Sequence, residues 1–274
     1  MRTRSLAAGL ALALTGAAAA AAPASAADGD ATLSVLHGVP DLTVDVWVNG
    51  ERTLDDFTPG TLAGPLELAP GTYSVAITAA DAADASAPAI GPVDLSLAGD
   101  TSYTAVAHLD AAGAPTATLF TNDTSATAAG QGRLTVRHTA AAPAVDVLAG
   151  GSPVISNLAN PAERTLDLPA GTVSATVAAT GTTAPVIGPA DVAVREGVST
   201  IVYAWGSLQA GNLQLAVQQI EGLHSSPSGV PSGELGLADT SSSSSAPWWV
   251  AATLLLALGG TLVRRRTPVR ATQD

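Results

Sequence analysis

The chain has 274 residues, 47% of them hydrophobic but only 3% aromatic and 12% charged, and a formal net charge of −12. Cysteine is absent, which excludes disulfides and thiolate metal sites. Between the termini only Arg52, Arg133, Arg137, Arg164 and Arg195 oppose all but one of the 23 acidic residues. A body this acidic repels phosphate backbones, so nucleic acid is excluded as a partner.

Met1-Arg2-Thr3-Arg4 is a short basic start, followed by an uncharged apolar run from Leu6 to Ala22. Ala24-Ser25-Ala26 then offers small residues at the spacing of a signal-peptidase site. Residues 1–26 are therefore expected to be a secretory signal peptide, cleaved after Ala26.

The body of the chain opens twice in the same way. Leu33-Ser-Val-Leu-His37 leads through Pro40-Asp41 to Val44-Asp45-Val46-Trp47-Val48 and Asn49-Gly50. Leu134-Thr-Val-Arg-His138 leads through Pro143 to Val145-Asp146-Val147 and Gly150-Gly151. In both copies aspartate follows histidine by eight residues. The repetition continues in Leu66–Thr72 against Leu166–Thr172 and in Ile90-Gly91-Pro92 against Ile187-Gly188-Pro189. Two domains are expected, 27–129 and 130–223, with the boundary at Gly130-Gln131-Gly132.

Each copy carries strand signals. Val44, Val46 and Val48 alternate with Asp45 and Trp47, which gives one aliphatic and one mixed face. Asn49-Gly50 is a tight-turn dipeptide, because both residues tolerate positive φ. Tyr73–Ile77, Tyr103–His108 and Thr116–Phe120 continue the first copy. Thr172–Ala178, Thr200–Trp205 and Leu213–Val217 continue the second. Asp81, Asp84, Ser86 and Pro88 break the alanine-rich stretch 79–89, which predicts a loop there rather than a helix. About seven short strands in some 95 residues predict an all-β fold of two tandem immunoglobulin-like or Greek-key β-sandwiches.

Residues 224–246 are rich in Ser, Pro and Gly, with Ser241 through Ser245 unbroken, and predict a stalk. Residues 247–263 hold no charge; at a rise of 1.5 Å they make a helix of about 25 Å, enough to cross a bilayer. Trp248 and Trp249 suit one interface, and Arg264-Arg265-Arg266 opens a basic tail, 264–274, that stays cytoplasmic. The expected location is the cell membrane, single-pass, with the body outside. No sortase-type motif precedes Pro247, so the helix itself is the expected anchor.

Both copies resemble the domain of unknown function 4397 family, in two tandem copies of the actinobacterial surface-protein type. The likeness rests on His37, Pro40, Asp41, Val44-Asp45-Val46 and Asn49-Gly50, and on His138, Pro143 and Val145-Asp146-Val147. The second copy lacks the aspartate after its proline. The resemblance implies the fold and a surface location, and no reaction or ligand.

His37, Asp41, Asp45, Trp47, His138 and Asp146 are the candidate binding or turn-stabilising residues. A histidine oriented by a carboxylate suits a metal site or a general base. With no third group placed to complete a set, a ring that pins its own turn is favoured. The four histidines lack zinc spacing, no calcium loop is present, and Gly-x-Ser-x-Gly and phosphate-cradling motifs are missing. No cofactor, metal or catalytic residue is therefore expected. The chain is expected to be a non-enzymatic surface protein that presents two β-sandwich modules for envelope structure or adhesion. Its partners would be the membrane, through 247–263, and envelope polymers or other surface proteins. The alternative is an extracellular solute- or carbohydrate-binding module, with Trp47 as a platform for a sugar ring. A hydrolase of envelope polymers is the third reading.

Overall fold

The computed structural model describes residues 29–224. The expected signal peptide, the membrane helix, the tail and all of the stalk beyond His224 lie outside the described residues. Among the described residues no helix is long and apolar enough to cross a membrane.

Among the described residues every regular element is a strand. The first repeat contains β1 (Ala31–Gly38), β2 (Val44–Val48), β3 (Glu51–Phe57), β4 (Leu62–Leu68), β5 (Gly71–Ala79), β6 (Ile90–Leu97), β7 (Ser102–Leu109) and β8 (Pro115–Thr121). The second contains β9 (Gln131–Ala141), β10 (Val145–Ala149), β11 (Ser152–Leu158), β12 (Glu163–Pro169), β13 (Gly171–Ala179), β14 (Pro185–Val194), β15 (Ser199–Ser207) and β16 (Gln214–Ile220). Eight strands per repeat exceed the seven suggested by turn spacing. Thr58–Thr61 and Ala159–Ala162 each interrupt what would pass for one long strand, so β3 and β4, and likewise β11 and β12, enter different sheets.

The strand orders are β4-β1-β7-β8 and β3-β2-β5-β6 in the first repeat, β12-β9-β15-β16 and β11-β10-β13-β14 in the second. Each repeat is thus a two-layer sandwich with the same order. The pairs β1–β7 and β9–β15 run parallel, and all other pairs run antiparallel. Asn49-Gly50 and Gly150-Gly151 close the hairpins β2–β3 and β10–β11 with φ of 52°, 83°, 58° and 80°, the backbone that matches strand twist in a two-residue turn.

Small aliphatic residues fill each sandwich. Val44, Val46, Ile77, Ile90 and Ala107 cluster in the first; Leu134, Val136, Val147, Val177 and Val202 cluster in the second. A further cluster joins the repeats: Leu36, Val106 and Phe120 pack on Ile201 and Tyr203. The β4-β1-β7-β8 and β12-β9-β15-β16 sheets therefore lie face to face, between the other two. This explains why β9 and β15 are buried along almost their whole length rather than on alternate residues.

Candidate functional site

His37 is the penultimate residue of β1 and His138 lies near the end of β9, both fully enclosed. Nε2 of His37 is 2.6 Å from the Leu42 carbonyl oxygen, and Nε2 of His138 is 3.0 Å from that of Pro143. A carbonyl only accepts, so the proton sits on Nε2 in both rings. Nδ1 of His138 then accepts the Ala140 N–H at 3.3 Å, while Nδ1 of His37 has no partner. His37 also stacks on Phe57, with ring centroids 5.7 Å apart. Each ring ties a strand end to the carbonyl five residues on. Burial lowers the pKa of both histidines, against the raising effect of those carbonyls, so the rings are neutral at pH 7.

Neither histidine bonds to the aspartate eight residues on. Val44, Val46 and Val48 point into the sandwich, which puts Asp45 on the opposite face. Asp45 Oδ1 accepts the backbone N–H of Asp56 at 3.0 Å, and Oδ2 accepts from Arg52 at 3.0 Å. Asp146 repeats the first bond with the N–H of Asn157 at 2.8 Å and adds Thr180 Oγ1 and the Gly181 N–H at 3.1 and 2.9 Å. Asp56 and Asn157 have φ of 50° and 54°, and the pairing register shifts beside each aspartate. Both carboxylates therefore hold an irregular, left-handed residue of the neighbouring strand in place. Burial opposes ionisation of Asp45, but the Asp56 N–H and Arg52 outweigh it and its pKa falls. The Asn157 and Gly181 N–H groups lower that of Asp146.

Asp41 sits in the β1–β2 turn at φ 58°, and its Oδ2 accepts from Asn212 of the second repeat at 3.3 Å. Trp47 is half-buried on the Asp45 face. Its indole N–H donates to Thr78 at 3.0 Å, and the Arg52 guanidinium lies 5.9 Å from the ring centre. Asp45, Asp55 and Asp56 bring three carboxylates together, and Arg52 pairs with the first two at 3.0 and 2.8 Å. That guanidinium supplies the charge balance a cation would otherwise provide.

The largest polar assembly was not legible as a site. Arg137, 1% exposed, donates to Glu163 at 2.7 Å, to Tyr203 Oη at 2.8 Å and to Asn122 Oδ1 at 3.0 Å, with its guanidinium carbon 4.3 Å from the Phe120 ring centre. Tyr203 in turn donates to Gln218 Oε1 at 2.6 Å, which also accepts from Thr104 at 3.0 Å. Arg133 pairs with Asp167 at 2.9 Å and reaches Asp123 at 2.9 Å. Three of these contacts cross between the repeats, Arg137 to Asn122, Thr104 to Gln218 and Arg133 to Asp123, and the others brace them from within the second repeat. The one sequence signal was an arginine at the place where the first copy has Leu36.

Two face-to-face β-sandwiches of identical strand order, locked by a buried polar network, define a tandem β-sandwich protein. Residues 31–148 match the model of a domain of unknown function, DUF4397. The match covers the first repeat and ends in β10 of the second. No curated protein matches the chain.

Proposed function

We propose that the chain is a non-enzymatic cell-surface protein, held by a membrane helix at 247–263, whose two β-sandwich modules serve envelope structure or adhesion. The second repeat is, on this proposal, a second copy of the same family domain, and the architecture a Greek-key relative of the immunoglobulin sandwich. The observation that carries it is the use made of the recurring polar residues. His37 and His138 are spent on turn carbonyls, Asp45 and Asp146 on backbone N–H groups, and Arg137 on the seam between the repeats. A scaffold needs such bonds, whereas a catalytic set would leave a group free to meet substrate. Anchoring is supported by the uncharged run and the three arginines that follow it.

Added protease should cut the 224–246 segment on intact cells and release a soluble fragment that contains both repeats. A chain left whole by that treatment would refute the topology.

The carbohydrate-binding alternative keeps one observation, the half-buried Trp47 on an outward sheet face. Glycan-array binding lost on Trp47→Ala would favour it. Turnover of labelled peptidoglycan would favour the hydrolase reading.

A further inference from the structure

The first sandwich encloses a cavity of about 300 Å³ between its sheets. Leu33, Ala105 and Ala117 line it from one sheet, and Val75, Ile77 and Leu95 from the other. Its exposed lining residues, Asn49, Glu51 and Thr53, all come from the β2–β3 turn and β3, so they mark its mouth. Protein interiors are close-packed, and space of this size is not an ordinary packing defect. The second sandwich has a cavity of about 190 Å³ in the same place. By proportion with a cavity of about 150 Å³ that takes one benzene, the first has room for about twelve carbon atoms.

We propose that the cavity of the first repeat binds a single alkyl chain whose neutral, hydroxyl-bearing head group stays at the β2–β3 mouth. The wall is aliphatic apart from Tyr73 and Thr118, whose hydroxyls are engaged by the Ala69 carbonyl and by His108, so a buried polar head finds little to bond and a hydrocarbon gains most by entering. The rim then selects the head. The Asn49 amide group donates, its Oδ1 being taken by the Ser74 N–H at 2.9 Å; the Thr53 hydroxyl, which donates to the Glu51 carbonyl at 3.3 Å, accepts, and so does the Glu51 carboxylate. Glu51 makes no ion pair among the described residues, and the sequence around it is acidic, so an anionic head is repelled. A monoacylglycerol fits this chemistry and a free fatty acid does not. The site is separate from the seam between the repeats and does not depend on where the protein resides.

The repeats provide the blocking variant. Strand pairing matches Leu33 to Tyr103 and Leu134 to Thr200, which makes Val202 the counterpart of Ala105. Likewise Ala107 pairs with Ala117 and Ala204 with Leu215, which makes Leu215 the counterpart of Ala117. Ala105→Val with Ala117→Leu therefore installs side chains that the same strand order already accommodates.

The test uses the full-length chain in phospholipid nanodiscs, with 1-decanoylglycerol, decanoate or no addition, read by thermal unfolding of the β-body. Partition into the lipid is common to wild type and variant, so their difference reports the cavity. At about a hundredfold excess over the dissociation constant, 1-decanoylglycerol should raise the wild-type Tm by about 5–10 °C. The double variant should lose that rise, and decanoate should give none. No rise in the wild type, or an equal rise in the variant, would overturn the proposal. Should the variant not fold, nuclear Overhauser contacts between the ligand's terminal methyl and the Ala105 and Ala117 methyls decide the matter. Their absence would overturn it equally.

Discussion

Leu36 and Arg137 occupy the same position in the two repeats, one before the histidine, and both are buried at the same seam. One side of the seam thus offers an aliphatic surface and the other a charged fork. Strand pairing extends the contrast: Val106 corresponds to Tyr203, Phe120 to Gln218 and Thr104 to Ile201. Arg137 and Gln218 are answered across the seam, and Tyr203 is answered within its own repeat by those two residues. Arg137 lies over Phe120, and Gln218 accepts from both Tyr203 and Thr104. The repeats diverge where they meet, and the two faces are complementary rather than alike.

Arg137→Ala should destabilise the protein by about 3–5 kcal/mol, because it strands buried partners that the guanidinium satisfies. Arg137→Lys should recover little, since one ammonium cannot reach Glu163, Tyr203 and Asn122 from a planar fork. Urea unfolding of the three proteins measures both effects. A loss under 1 kcal/mol for the alanine variant would mean that the network contributes little.

Stability should fall on mild acidification. His37, His108 and His138 all have pKa values lowered chiefly by burial. Below pH 6.5 the unfolded chain takes up protons at these residues while the folded chain does not, so stability rises with pH in that window. It is lost as pH falls from 6.5 towards the folded pKa values, and it is level above 6.5. The slope reaches at most about 1.4 kcal/mol per pH unit for each histidine. Urea midpoints at pH 7.5 and 5.5 check this, and His138→Gln should flatten the dependence.

Gly60 packs against Trp205 across the seam. Its φ is 78°, and a Cβ there would stand 2.9 Å from Cζ2 of Trp205. Gly50 has a similar φ of 83° with open space around it. Gly50→Ala should cost about 1 kcal/mol for the backbone alone. Gly60→Ala should cost about 2–3 kcal/mol, the excess coming from displacement of the indole. Equal costs would show that the seam yields freely at Trp205.

Asp146→Ala should release the Asn157 and Gly181 amides, with hydrogen exchange at Asn157 faster by about tenfold or more. The Asp146 pKa is lowered by those two N–H groups, so its contribution is present above the ordinary aspartate pKa near 3.8 and is lost as pH falls below it. This acid loss is distinct from the histidine window at higher pH. Unchanged exchange at Asn157 would show that the left-handed turn holds without the carboxylate.

Much of the architecture is written locally. Alternating valines, Asn49-Gly50, Gly150-Gly151 and the doubled His-to-Asp opening determine strands, turns and the number of repeats, because strand period and positive φ depend on near neighbours. The role of the opening was only half legible. A histidine bound to a carbonyl five residues on is a short-range bond, whereas the Asp45 and Asp146 bonds to strands eleven residues on depend on which residues bulge. The seam and the cavity were decided by tertiary structure alone. Arg137, Phe120, Gln218 and Tyr203 meet only when two sheets stack, and Ala105 and Ala117 leave space only when opposite walls are in place. Contacts between residues distant in the chain carry no local period, so the sequence alone does not display them.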